Sequence, residues 1–265
     1  MEESSLTIAS TMKNKIALPY FKALKIIFSL IVILSIWEIL ALIIHDSYFL
    51  PDVLQTLDAL VKIIVSKEFF KVIFTSLYRV LIGLSIGVIL GTAIAALCHK
   101  IEIFNTVLSP IVSIMKATPV ASIIVLLWIR LNYTEIAIFV VVLMVLPIIW
   151  QNVYDGLRSI DSSLVEVADI FELSGAKRLF VLIVPSVLSY LLPAIITSIG
   201  LAWKAEVAAE IMTNSNMGRL IYDFKTVSYD TASIFAWTVI IVALSIVFES
   251  TAKKCLGRIV NDLKA

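Results

Sequence analysis

The chain has 265 residues, of which 60% are hydrophobic and 15% charged, and its mean hydropathy is +1.03. Soluble domains run to roughly 45–50% apolar and about 25% charged residues, so this composition excludes a water-soluble globular protein and points to the membrane. A net charge of +1 offers no nucleic-acid footprint, and two cysteines and two histidines leave no disulfide framework, metal site or clustered catalytic centre.

A spanning helix needs roughly 20 mostly apolar residues, because a rise of about 1.5 Å per residue must cross about 30 Å of hydrocarbon. Residues 1–23 read as a cytoplasmic N-terminal segment carrying Lys13, Lys15 and Lys22, and no small-residue cleavage pattern follows the first apolar run, so no removable signal peptide is expected. The first predicted span is 24–44, and from Ile26 to Ile44 it is interrupted only by Glu38. In the external loop 45–70, Pro51 and Asp52 precede Val53, Leu54, Leu57, Leu60, Val61 and Ile64. This apolar stripe at helical spacing, opposite Gln55, Asp58 and Lys62, predicts an amphipathic helix, either lying on the outer surface or merely filling a linker.

The second span, 76–98, is free of charge from Val80 onward, and Gly83, Gly87 and Gly91 recur every four residues, a face on which two helices can approach closely. Arg79 at its edge reads as a snorkelling residue. The third span, 107–129, carries Lys116, Pro110 and a predicted break at Pro119, and the fourth, 135–155, contains Pro147.

Residues 156–178 form a cytoplasmic loop with a short amphipathic helix. Ser163 and Glu166 stand in capping-box spacing, and Leu164, Val167, Ala168 and Phe171 follow at i, i+3, i+4 and i+7, with Gly175 to end the helix. The fifth span, 183–206, contains expected helix breaks at Pro185 and Pro193; an external loop, 213–230, precedes the sixth span, 231–250, and a cytoplasmic tail, 251–265.

The result is an all-α, polytopic membrane protein of about six transmembrane helices. Lys13, Lys15, Lys22, Lys25, Lys100, Arg158, Lys177, Arg178, Lys253, Lys254, Arg258 and Lys264 fall on one side. Against them stand Lys62, Lys67, Lys71, Arg130, Arg219 and Lys225, so the positive-inside rule places both termini in the cytoplasm. Cys98 and Cys255 then lie at cytoplasmic helix ends, where thiols stay reduced.

Charged side chains at membrane depth cost roughly 2.5–3.5 kcal/mol each on insertion scales, so each needs a partner or an aqueous cavity. Glu206 and Glu210 share a helix face at i, i+4, while Lys204 projects from another. Two readings are open: Lys116, Lys204, Glu206 and Glu210 line or gate a translocation route, or they form an internal cluster that fixes packing, with a cation such as Lys116 offsetting the carboxylates. The end of the fifth span, 204–212, can cross, stop or bend back.

At the cytoplasmic loop the sequence resembles the permease subunits of binding-protein-dependent ATP-binding-cassette importers. Their signature is Glu-Ala-Ala, three residues, Gly, nine residues, then Ile-x-Leu-Pro; Glu166, Ala168 and Pro185 match it, while Val167, Glu172, Leu182 and Val184 depart from it. Thr75-Ser76-Leu77-x-Arg79-Val80-Leu81-x-Gly83, Ser109-Pro110, Ala117-Thr118-Pro119 and Asp155-Gly156-Leu157-Arg158-Ser159-Ile160-Asp161 add to the likeness. Gly200-Leu201-Ala202-Trp203 and Val207-Ala208-Ala209-Glu210 resemble the nitrate, sulfonate and taurine branch.

The resemblance covers about Trp37 to Glu249 and implies the MetI-like, type I importer permease fold, with a permease domain at 71–250. It also implies a second permease copy in a homodimer, two ATPase subunits, an extracytoplasmic substrate-binding protein, and no cofactor. On this likeness the cytoplasmic helix is a coupling helix that enters a cleft of the ATPase, a role falling to Ser163, Glu166, Ala168, Phe171, Glu172 and Gly175. No Gly-x4-Gly-Lys-Ser/Thr phosphate loop is present, so ATP hydrolysis is assigned to a separate chain and this subunit is not an enzyme. The substrate expected is a small polar solute or anion, and the alternative is a secondary transporter or a permease-like sensor.

Overall fold

A computed structural model describes residues 24–264, with side chains as far as Arg258, so the expectations for residues 1–23 lie outside the described residues. Every described element is helical: α1 (Leu24–Ile44), α2 (Val53–Val65), α3 (Phe69–Lys100), α4 (Glu102–Ala117), α5 (Val120–Leu127), α6 (Tyr133–Arg158), α7 (Ser162–Ile170), α8 (Gly175–Arg178), α9 (Val184–Met212), α10 (Asn216–Thr226) and α11 (Thr231–Lys264). Leu179–Ile183 forms a π-helical turn between α8 and α9.

Among the described residues, five helical runs are long and apolar enough to cross a membrane: α1, α3, α6, the run Gly175–Met212, and α11. The expected third span is not one straight helix. Its two pieces, α4 and α5, are bent by 96°. Pro119 is the cause, since it has no N–H to donate and drives Thr118 before it into the extended region, at φ −77° and ψ 127°. The other expected breaks behave differently. Pro193 lies inside α9 without ending it, as Pro110 and Pro147 do in α4 and α6. Pro185 stands at the start of α9, directly after the π turn that rearranges the backbone hydrogen bonds it cannot join.

The core is built around α6, which buries Ile136, Val140, Val141, Val145, Ile149 and Val153 and packs most extensively against α3 and α9. The glycine face of α3 makes this contact. A Cβ at Gly83 would lie 2.7 Å from Val141 Cβ, at Gly87 2.8 Å from Val145 Cγ1, and at Gly91 2.9 Å from Ile149 Cβ. Without side chains at these positions the two helices close to backbone distance, where dispersion contacts accumulate.

The first helix is peripheral and almost wholly exposed. Two polar contacts tie it down: Trp37 Nε1 donates to Pro51 O at 3.0 Å, and Glu38 Oε2 accepts from Val53 N at 3.0 Å. The Glu38 carboxylate therefore satisfies a free N–H at the start of α2, where the helix dipole favours an anion. Asp52 caps the same end through Gln55 N. On α2 the predicted apolar stripe is the exposed one: Leu54, Leu57, Val61 and Ile64 face outward, whereas Thr56, Ala59 and Ile63 are buried where α2 packs on α11. A helix with its apolar stripe outward at the end of a membrane bundle suits the lipid interface.

Replacing Gly83 by Leu is expected to wedge α3 from α6 and to cost at least about 1–3 kcal/mol, the range for overpacking a filled core. The thermal midpoint of the detergent-solubilised protein checks this, and an unchanged midpoint contradicts the close approach.

Candidate functional site

Two regions bring polar chemistry together, one at each end of the Gly175–Met212 run. The first is the segment between α6 and α9. Asp161, not Ser163, caps α7: its carboxylate accepts from Ser163 N at 2.9 Å and its carbonyl accepts from Leu164 N and Val165 N. The helix starts at Ser162, so the capping-box reading of Ser163 and Glu166 is two residues late. Hydrogen bonds from the Ser163 backbone and then its hydroxyl hold the Asp161 carboxyl below the usual aspartate range.

The end of α7 is also displaced from the expected place. Leu173 N donates to Ala168 O and Glu172 N to Asp169 O, each at 3.0 Å, the pairing of a Schellman cap. The residue in the left-handed turn is Glu172, at φ 46°. A side chain there costs roughly 1–2 kcal/mol, which is why a glycine suits the position and why the resembling motif has one. Gly175 instead opens α8, in open space. Arg178 Nη1 meets Asp169 Oδ1 at 2.7 Å and ties α8 back to α7. Of the predicted apolar face only Ala168 turns inward; Leu164, Val167 and Phe171 are exposed, Phe171 at 73%. Ser163 and Glu166 are exposed as well.

The second region is a buried charge cluster. Arg79, only 4% exposed, donates from Nη1 to Glu210 Oε1 at 2.8 Å and lies 3.7 Å from Glu206 Oε1. Glu210 also accepts from Ser76 Oγ at 2.9 Å, Asn216 Nδ2 at 2.9 Å and Met217 N at 3.2 Å. Donors from α3 and α10 thus converge on one carboxylate of α9. Glu206 is equally buried, yet both its oxygens lack a hydrogen-bond donor within the described residues. The Arg79 guanidinium lies 5.4 Å from the centre of the Tyr133 ring and lines a cavity of about 390 Å³ with Lys71, Thr75, Asn216 and Arg219.

Arg79 is therefore no snorkelling residue; it is the cation that offsets the carboxylates. Lys116 is not, because it sits exposed on α4 with Nζ 3.4 Å from Gln151 Oε1. Lys204 is exposed on another face of α9. Of the four expected pathway residues only Glu206 and Glu210 come together. The 204–212 segment stays helical to Met212, then turns through Asn214, at φ 49°, and returns as α10. At the corner Ser215 N donates to Glu210 O at 3.0 Å, and a Cβ on Gly218 would lie 1.9 Å from that same oxygen, so only glycine fits.

The fold and its segments agree with known proteins. The family model of the binding-protein-dependent transport system inner membrane component matches residues 83–254. This chain belongs to that family. It is a multi-pass inner-membrane permease subunit of an ATP-binding-cassette importer, a family of transport subunits rather than enzymes. It is 27% identical over 212 residues to the putative aliphatic sulfonates transport permease protein SsuC of Bacillus subtilis, covering 79% of this chain and 76% of that one. It is 29% identical over 173 residues to the bicarbonate transport system permease protein CmpB of Synechococcus elongatus, spanning 64% of this chain and 62% of the relative. With the nitrate import permease protein NrtB of Synechocystis it shares 26% over 223 residues, 80% of each chain.

Among solved structures, an amino acid ABC transporter with histidines aligns with TM-score 0.59 and 18% identity over 71% of this chain and 91% of that one. The inward-facing MetNI methionine ABC transporter aligns with TM-score 0.59 and 16% identity over 75% and 99%. These two establish the type I permease fold for this subunit.

Two outcomes follow from the geometry. Arg79→Gln leaves two buried carboxylates without a cation and is expected to cost about 3–5 kcal/mol, while Lys116→Gln stays within about 0.5 kcal/mol. Comparing their unfolding in detergent decides which cation serves the cluster; equal effects would contradict the assignment. Glu172→Gly removes a side chain from a left-handed turn and is expected to stabilise the α7 turn by about 1 kcal/mol. Slower proteolysis across 161–178 reads this out, and faster cleavage would count against a strained turn.

Proposed function

We propose that this permease couples import of a small oxyanion to a separate ATPase through α7. The observation that carries the reading is the exposed apolar face of α7, with Leu164, Val167, Ile170 and Phe171 outward, on a short helix joined at one end to α6 and at the other to the Gly175–Met212 run. Exposed apolar residues on a compact, capped helix suit docking into a protein cleft. Movement of the partner then enters the membrane through two spanning helices, as a rigid shift rather than a local deformation. Within the helix, Asp161 and Glu172 set its two ends, Ala168 anchors it, Ser163 and Glu166 supply polar contacts, Phe171 leads the apolar contact, and Gly175 begins the return to the membrane.

The oxyanion assignment is supported by relatives named for aliphatic sulfonates, bicarbonate and nitrate. Specificity in such a system rests mostly with an extracytoplasmic binding protein. Two copies of this chain around a central pathway, both termini cytoplasmic and α10 on the outer side, complete the proposed assembly.

Deleting residues 164–174 is expected to leave the chain in the membrane and to abolish co-purification of the ATPase. The pull-down from solubilised membranes checks this. An ATPase that still co-purifies with the deleted chain would refute α7 as the coupling element.

A further inference from the structure

We propose that the headgroup of an anionic phospholipid occupies the cavity at the α7 end of the bundle, its phosphate held between Arg158, Arg178 and His99. The cavity measures about 380 Å³ and lies among the last turn of α3, the last turn of α6, α7 and the π turn. Among the described residues two guanidinium groups and an imidazole line it and no carboxylate does, and Leu157, Val165 and Leu182 form its apolar wall. That pairing of a cationic lining with an apolar wall, at the level where spanning helices end, matches what a phospholipid presents at its glycerol and phosphate. Basic pockets between helix ends bind acidic headgroups in this way.

The charges are available for it. Arg158 has no salt bridge among the described residues, its guanidinium lying only over the Tyr154 ring at 5.8 Å. Arg178 shares Nη1 with Asp169 at 2.7 Å, which fixes the side chain at the cavity wall. Phe180 and Val181, in the π turn that supplies Leu182 and Ile183 to the wall, are 70% and 66% exposed and offer apolar surface for acyl chains. The cavity beside Arg79 differs in that a carboxylate, Glu68, joins its lining and its buried arginine is already bonded to Glu210 and lies 3.7 Å from Glu206. A lipid held at the inner cavity would set the depth of α7 in the interface, because Val165 of α7 is part of its wall. The inference needs only that the chain spans a membrane, and neither the oxyanion nor the ATPase reading enters it.

The test uses the full-length chain purified in detergent with its co-purifying subunits, titrated with phosphatidylglycerol, phosphatidylcholine or inorganic phosphate. Thermal midpoint and lipid retained in native mass spectrometry are the readouts. Phosphatidylglycerol is expected to raise the midpoint and stay bound, with neither of the other two doing so. Arg158→Gln is expected to weaken the phosphatidylglycerol response about five-fold, the factor one basic residue contributes near an anionic surface, with Lys67→Gln at the opposite end unchanged. His99→Gln, which removes a second lining group, is expected to weaken it also and serves if Arg158→Gln does not fold. An equal response to phosphatidylcholine, a full response to phosphate alone, or lining variants that respond like the natural chain would overturn the proposal.

Discussion

Glu210 holds together the end of this bundle at which α9 turns into α10. A carboxylate removed from water is stable only with enough donors around it, and Glu210 has four, drawn from Ser76 and Arg79 on α3 and from Asn216 and Met217 at the start of α10. Each donor fixes one neighbour: the height of α3 against α9, the return angle of α10, and the turn at Asn214. The tight seat of Gly218 on the Glu210 carbonyl exists because the side chain of the same residue pulls α10 back over the end of α9. Arg79 in turn lies over Tyr133 at the start of α6, so the central helix joins the same cluster.

The other end of that helical run carries the α7 segment. Gly175–Met212 spans 38 residues, roughly 57 Å at about 1.5 Å per residue, without a break at Pro193. On the proposed coupling role, this run is the rod joining a docking helix on one face to a locked corner on the other. The π turn at Leu179–Ile183 is its one irregular stretch, placed between the docking helix and the membrane. A helix that is stiff along most of its length and irregular at one turn transmits displacement and yields at one point.

Much of this was legible in the sequence, and the misses share a cause. Uncharged apolar runs marked the spans because their signal is local, and the Gly83, Gly87 and Gly91 repeat announced the α3 face because period and residue size both lie within one helix. Pro119 broke the third span as its chemistry requires. The capping of α7 was misplaced because Asp161 and Ser163 both suit an N-cap, and which one serves depends on where α6 ends at Arg158. The cation of the charge cluster was missed because Arg79 and Glu210 are 131 residues apart. A lone arginine at the edge of an apolar span and two glutamates on one face of another each lacked a partner, and balancing charge across helices was the signal that could have joined them. The outward stripe of α2 illustrates the same limit, since an apolar face in a membrane protein turns to lipid as readily as to a core.

If an ATPase grips this permease at α7, site-directed cross-linking from that helix captures the contact. With a cysteine introduced at Phe171, exposed at the end of α7, a short bifunctional reagent should join this chain to the co-purified ATPase subunit in native membranes, and nucleotide should change the yield. A cross-link that forms instead from a cysteine at the opposite end, such as Tyr222 on α10, with none from position 171, would rule out α7 as the ATPase contact.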